Sequence, residues 1–154
     1  MRRVCAVVIL SCAALEFGAR ELAGWWGVPM SANPGLSFGL LGAAPGWALA
    51  LSGAALAVLL GCVLAAGRMG RGLRLALSVM AGGAAANFLQ RLLAGAVMDW
   101  IPLPFTETFF PGGLRLNLAD AEIALGAALL LRATREGPET GRRPPASASS
   151  GPEG

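Results

Sequence analysis

Residues 45–66 read PGWALALSGAALAVLLGCVLAA, and no charged residue occurs between Glu21 and Arg68. About 20 mostly apolar residues are what an α-helix needs to cross the hydrocarbon core of a bilayer. Working outward, with charges and turn residues as punctuation, three more apolar stretches emerge near Val4–Leu22, Leu75–Val97 and Leu118–Leu131, the last of them short. The 154-residue chain as a whole is 55% hydrophobic and 14% charged, where a soluble domain carries about 25% charge. The fold class predicted is therefore an all-α integral membrane protein with four transmembrane helices over residues 1–135. Residues 136–154 are rich in Gly, Pro, Ser and charge, cannot bury enough apolar surface to offset ordering entropy, and read as a disordered cytoplasmic tail.

Arginine sets the orientation, because short cytoplasmic loops carry the excess of basic residues. Nine of the twelve Arg fall on one side: Arg2 and Arg3 before the first span, Arg68, Arg71 and Arg74 between the second and third, and Arg132, Arg135, Arg142 and Arg143 after the fourth. Both termini are predicted to be cytoplasmic. Trp25, Trp26, Trp47 and Trp100 then fall at the opposite, outer interface.

Composition excludes whole classes of chemistry. The chain has no His, Tyr or Lys, so no Ser-His, Cys-His or Ser-Lys pair can form. Cys5, Cys12 and Cys62 lie in apolar runs without CxxC spacing and read as buried small hydrophobes, so no metal site is expected. The arginines are dispersed, without the clustered basic face of a nucleic-acid binder.

Ionisable groups at membrane depth cost about 2.5–3.5 kcal/mol each on insertion scales, so each needs a reason. Glu16 and Arg20 are four apart on one helix and are expected to pair as structural support. Asp99 and Asp120, the only aspartates, lie where the chain leaves the third span and re-enters the fourth, so antiparallel helices bring them to one level at the outer face. Two close carboxylates share a proton, and such a dyad can activate water with one member and polarise a carbonyl with the other. Equally, Asn117 and Asp120 at this spacing can simply cap the fourth helix. Asn87 and Arg91, four apart, add a pair of donors near the outer end of the third span.

Read together, GAAANFLQRL (83–92), GAVMDWI (95–101) and LNLADAEI (116–123) resemble the lipoprotein signal peptidases, or type II signal peptidases. That family pattern has Asn and Arg four apart, then Gly-x-Val-x-Asp-Phe, then Phe-Asn-x-Ala-Asp with Ile three further on. Asn33-Pro34-Gly35-Leu36-Ser37-Phe38 looks like the family's Asn-x-Gly-x-x-Phe element, although an Asx or proline turn would produce the same residues. The resemblance implies four membrane helices with a small extracytoplasmic loop or β element. It also implies a catalytic dyad of Asp99 and Asp120, with Asn33, Asn87, Arg91 and Asn117 lining the site and holding substrate or aspartates. The implied substrate is a prolipoprotein carrying a diacylglyceryl-cysteine, cut just before that cysteine at the outer face of the bacterial inner membrane. No cofactor is implied, membrane lipid is an expected partner, and globomycin-type peptides are expected inhibitors.

This chain departs from the pattern at defined positions. Gln90 stands where the family has Asp, Ala86 replaces a Gly, Glu16 and Arg20 replace an Asp-x-x-x-Lys, and the loop from Trp25 to Asn33 is short, which predicts a reduced outer sheet. Two competing readings follow: an inactive paralogue that still binds lipidated peptides, supported by Gln90, and a small transporter subunit with Glu16, Arg20, Asp99 and Asp120 along an ion path. An ion path would need polar groups through the full membrane thickness.

Overall fold

The computed structural model describes residues 2–36, 43–66, 70–110 and 112–135. These residues include four helices: α1 (Arg2–Trp25), α2 (Pro45–Ala65), α3 (Arg71–Ala94) and α4 (Leu118–Arg135). At 1.5 Å per residue they are about 27–36 Å long, the thickness of a bilayer core. The expected tail, residues 136–154, lies outside the described residues, as do Phe38 and Arg68.

Local chemistry sets the ends. Pro45 opens α2 at a position where a missing N–H costs nothing and the fixed φ suits a helix. α3 stops at Gly95, whose φ of 75° closes the helix with an N–H bond of 2.9 Å to the Arg91 carbonyl. The third span therefore ends before the expected Val97, and that valine instead begins a strand.

Helix α3 is the axis of the bundle and packs against α1, α2 and α4. Its buried face is made of small residues, including Ala76, Ala81, Gly82, Gly83 and Ala86. In lipid, helices associate through close packing, and small residues permit the approach. A Cβ on Gly82 would collide with Cys12 of α1, and one on Gly83 would collide with the Ala119 carbonyl of α4. At the arginine-bearing end, Val63, Ala66, Leu77 and Ala81 form a core cluster with Cys5, Ile9 and Leu130 against it.

Helix α2 is apolar all round yet little of it is buried, with Leu51, Val58 and Leu64 turned outward. Among the described residues, α2 and α3 are the helices long and apolar enough to cross a membrane on composition alone. α1 and α4 fall short because both carry charges at each end, Arg2, Arg3, Glu16, Arg20 and Glu21 in α1 and Asp120, Glu122, Arg132 and Arg135 in α4. Cys62, expected inside, is exposed on α2, and Cys5 and Cys12 are only half-buried; all three thiols are free.

Among the described residues, the loops at the other end of the bundle fold into two small antiparallel sheets. β1 (Ser31–Asn33) pairs with β2 (Val97–Asp99), setting Ser31 opposite Asp99 and Asn33 opposite Val97. β3 (Ile101–Pro102) pairs with β4 (Arg115–Leu116), which runs directly into α4. Arg115 also donates to the Pro29 carbonyl at 2.6 Å, tying the second sheet to the approach of the first.

Candidate active site

Asp99 sits on β2 and not at a helix end, and its hydrogen-bond partners, Asn33 and Asn117, come from two other segments. Alternate residues of a strand share a face, so Asn33, paired with Val97, lies on the same face as Asp99. Its Nδ2 donates to Asp99 Oδ2 at 3.0 Å. Asn33 is itself held by an Asx turn, its Oδ1 accepting the Gly35 N–H at 3.0 Å. Asn117 Nδ2 donates to Asp99 Oδ1 at 2.9 Å and lies 3.1 Å from Asn87 Oδ1.

Asp120 belongs to the first turn of α4. Asn117 caps that helix: its Oδ1 accepts the Asp120 N–H at 2.9 Å, while Asp120 Oδ2 accepts the Asn117 N–H at 3.3 Å. This reciprocal pair is a capping box, with Asp in the usual Glu position. Asn87 Nδ2, from α3, donates to Asp120 Oδ1 at 2.9 Å. The bonds that cap α4 thus also hold Asp120 on the residue whose side chain reaches Asp99. Each aspartate oxygen carries one of these donors and keeps a further lone pair for another.

Arg91 does not touch either carboxylate. Its Nε and Nη2 donate to the Gly35 carbonyl at 3.1 and 2.6 Å and its Nη1 to the Asn87 carbonyl at 3.2 Å. The buried guanidinium therefore fastens the loop behind Asn33 to α3 and adds positive charge near both aspartates.

Asp99 is 5% exposed, and burial holds its carboxyl above the usual carboxylate range. The Asn33 and Asn117 amides and the Arg91 charge oppose that rise, and the charge of Asp120 adds to it.

The expected Glu16–Arg20 pair is corrected. Arg20 bonds to its neighbour Glu21 at 2.6 Å and lies over the Phe17 ring. Glu16 is fully buried and faces α3 and α4, where Gln90 Nε2 donates to its Oε1 at 3.1 Å. Its Oε2 accepts the Leu118 and Ala119 N–H groups at 2.9 and 3.3 Å. Spacing of four on one helix is a local cue, and unsatisfied N–H groups at the start of a second helix outweigh it.

Sequence reasoning missed Gln90 as a contributor, because the signal lies in another element: a buried Glu16 requires donors that α1 cannot supply. Glu122, also buried, faces away toward Cys12, and its Oε2 has no hydrogen-bond partner among the described residues. Among the described residues no three carboxylate or thiol groups converge on a position that could hold a metal.

Asn33, Asn87, Asp99, Asn117 and Asp120 all line one cavity of about 690 Å³. Away from these polar groups it continues along Leu51 and Ala55 of α2, Ala84 of α3 and Ile123 and Ala127 of α4. α2 rests chiefly on α3, so the apolar arm of the cavity runs in the gap between α2 and α4. The arrangement offers two carboxyls at a polar head and an apolar groove reaching toward lipid.

A family model described as signal peptidase (SPase) II matches residues 6–134. The chain is 34% identical over 102 residues to a lipoprotein signal peptidase of Polynucleobacter necessarius, covering 64% of this chain and 61% of that protein. It is 32% identical over 119 residues to a lipoprotein signal peptidase of Burkholderia vietnamiensis, covering 75% of this chain and 70% of that protein. Against the Polynucleobacter protein and its counterpart from Cellvibrio japonicus, the matched part spans 61% and 59% of the relative's length. A bacterial membrane enzyme solved by the in meso method at 2.3 Å shares the fold, with a TM-score of 0.66, 18% identity, and coverage of 90% of this chain and 93% of that one.

Proposed function

Because the chain belongs to the signal peptidase II family, we propose that it is a membrane aspartic endopeptidase that removes the signal peptide from diacylglyceryl-modified prolipoproteins, cutting before the lipidated cysteine. The observation that carries this reading is Asn117, which donates to Asp99 from its side chain and to Asp120 from its backbone, fixing two carboxyls at the head of a cavity with an apolar arm. A peptide bond beside a lipidated cysteine has the same two-part chemistry. Its acyl chains would occupy the groove between α2 and α4 while the bond rests at the polar head.

Asp99, the more deeply buried of the two, serves as the acid in this reading, and Asp120 serves as the base. Asp120 takes a proton from water as the water oxygen attacks the scissile carbonyl carbon, and Asp99 donates a hydrogen bond to the carbonyl oxygen. The C–N bond of the tetrahedral intermediate then breaks, and the amine leaves with the proton that Asp120 acquired. Asn33, Asn87 and Asn117 hold the carboxyls, and Arg91 holds the loop that carries Asn33.

The site faces the outer side of the bacterial inner membrane in this reading, with both termini cytoplasmic. Arg2, Arg3, Arg71, Arg74, Arg132 and Arg135 gather at one end of the bundle, and Trp25, Trp26 and Trp47 stand exposed at the other, with the dyad. Globomycin-type peptides would block the cavity.

The test is cleavage of a diacylglyceryl-modified prolipoprotein by the purified chain in detergent, beside Asp99→Asn and Asp120→Asn. Each variant should retain the fold and lose at least about 10³-fold in kcat. Activity surviving in either variant would reject the dyad.

A further inference from the structure

Among the described residues, Gln90 and Glu16 are the largest fully buried side chains, at 1% and 0% exposure, and they meet behind the aspartates without touching the cavity. The bonds they make form a chain. Gln90 Oε1 accepts the Met98 N–H at 3.1 Å, its Nε2 donates to Glu16 Oε1 at 3.1 Å, and Glu16 Oε2 accepts from Leu118 N and Ala119 N at 2.9 and 3.3 Å. Met98 immediately precedes Asp99, and Ala119 immediately precedes Asp120.

We propose that Glu16 and Gln90 are positioning residues for the dyad: a strap that ties the backbone carrying Asp99 to the backbone carrying Asp120, so that the two carboxyls stay at working separation. The inference rests on the aspartic peptidase reading above and adds to it the device that holds the dyad together from outside the cavity.

The chemistry of the strap explains the residue at position 90. Every partner within hydrogen-bond distance of Glu16 is a donor, and Met98 offers another donor on the far side of Gln90. The side chain between them must donate in one direction and accept in the other, which an amide does and a carboxylate cannot. Gln90 is therefore the complement of Glu16, and its difference from the family pattern is no sign of a decayed enzyme.

A side-chain exchange tests this. E16Q sets amide donors against the Gln90 amide, or against the α4 N–H groups if it turns over. Q90E sets two carboxyls face to face. In the double variant E16Q/Q90E every bond is restored in mirror order: the amide on α1 donates to the carboxyl on α3 and keeps its oxygen for α4, and that carboxyl accepts from Met98. With the full chain in detergent and a diacylglyceryl-modified prolipoprotein, each single variant should lose about tenfold or more in kcat with KM within about twofold, because small misplacements of reacting groups are costly in rate. The double variant should return to within about threefold of the parent, a non-additivity expected only of directly coupled residues.

Thermal unfolding is followed in parallel. If a single variant does not fold, recovery of both folded yield and kcat in the double variant supports the strap. A double variant that unfolds like the parent and still turns over as slowly as the singles overturns it, as do single variants with parental kcat. A parental chain that does not cleave at all sinks the peptidase reading, and the strap with it, before any variant is compared.

Discussion

Asn33 tunes the aspartate that it touches. Its amide donates to Asp99 Oδ2 at 3.0 Å and so favours the anion, against the burial that favours the acid. Asn33→Ala should raise the Asp99 pKa further. In the proposed mechanism activity needs the Asp99 proton, so it falls as pH rises through that pKa, and the alkaline limb of kcat/KM against pH should move to higher pH in the variant. A limb that stays in place would mean that another group titrates there. The six residues of the expected site were legible because spacing survives folding: Asn87 and Arg91 share a helix face, and Asn117 and Asp120 bracket a first helical turn. The destination of each donor was not. Arg91 turned to the Gly35 carbonyl and Glu16 to the start of α4, because buried carbonyl and N–H groups elsewhere in the chain needed partners that no local pattern reveals.

The elements show how closely the dyad depends on helix packing. Gly83 faces the Ala119 carbonyl so tightly that an added methyl would collide with it, and Ala119 precedes Asp120. Gly83→Ala should therefore cost about 1–3 kcal/mol by overpacking and displace Asp120 as well. On the same helix, a Cβ at Gly72 would meet Ala133 at 3.6 Å, an ordinary contact. Gly72→Ala should be neutral, or stabilising by up to about 1 kcal/mol through helix propensity. Thermal unfolding and kcat of the two variants in detergent make the comparison, and equal behaviour would reject the close-packing account. The helices could be read from apolar run length, and the end of α3 missed its predicted place by three residues because Gly95 stops the helix. Strands of two or three residues have no such signature, since their pairing is set by Asn33, Asp99 and Arg115 finding partners across the loops.

For the whole molecule, the proposed orientation places the sheets outside and the arginine-rich helix ends inside. In a background without Cys5, Cys12 and Cys62, Glu107→Cys in the outer loop should react with a membrane-impermeant thiol reagent in intact spheroplasts. Arg135→Cys should react only after lysis, and the reverse pattern would invert the topology. The position of α2 has a larger consequence. It rests chiefly on α3, leaving the apolar arm of the cavity between α2 and α4 facing the hydrocarbon. In the peptidase reading proposed above, enzyme and lipid-anchored substrate then meet by diffusion in a plane. The working concentration becomes a mole fraction in the bilayer, so added inert lipid slows turnover by surface dilution even when the amounts per litre stay the same.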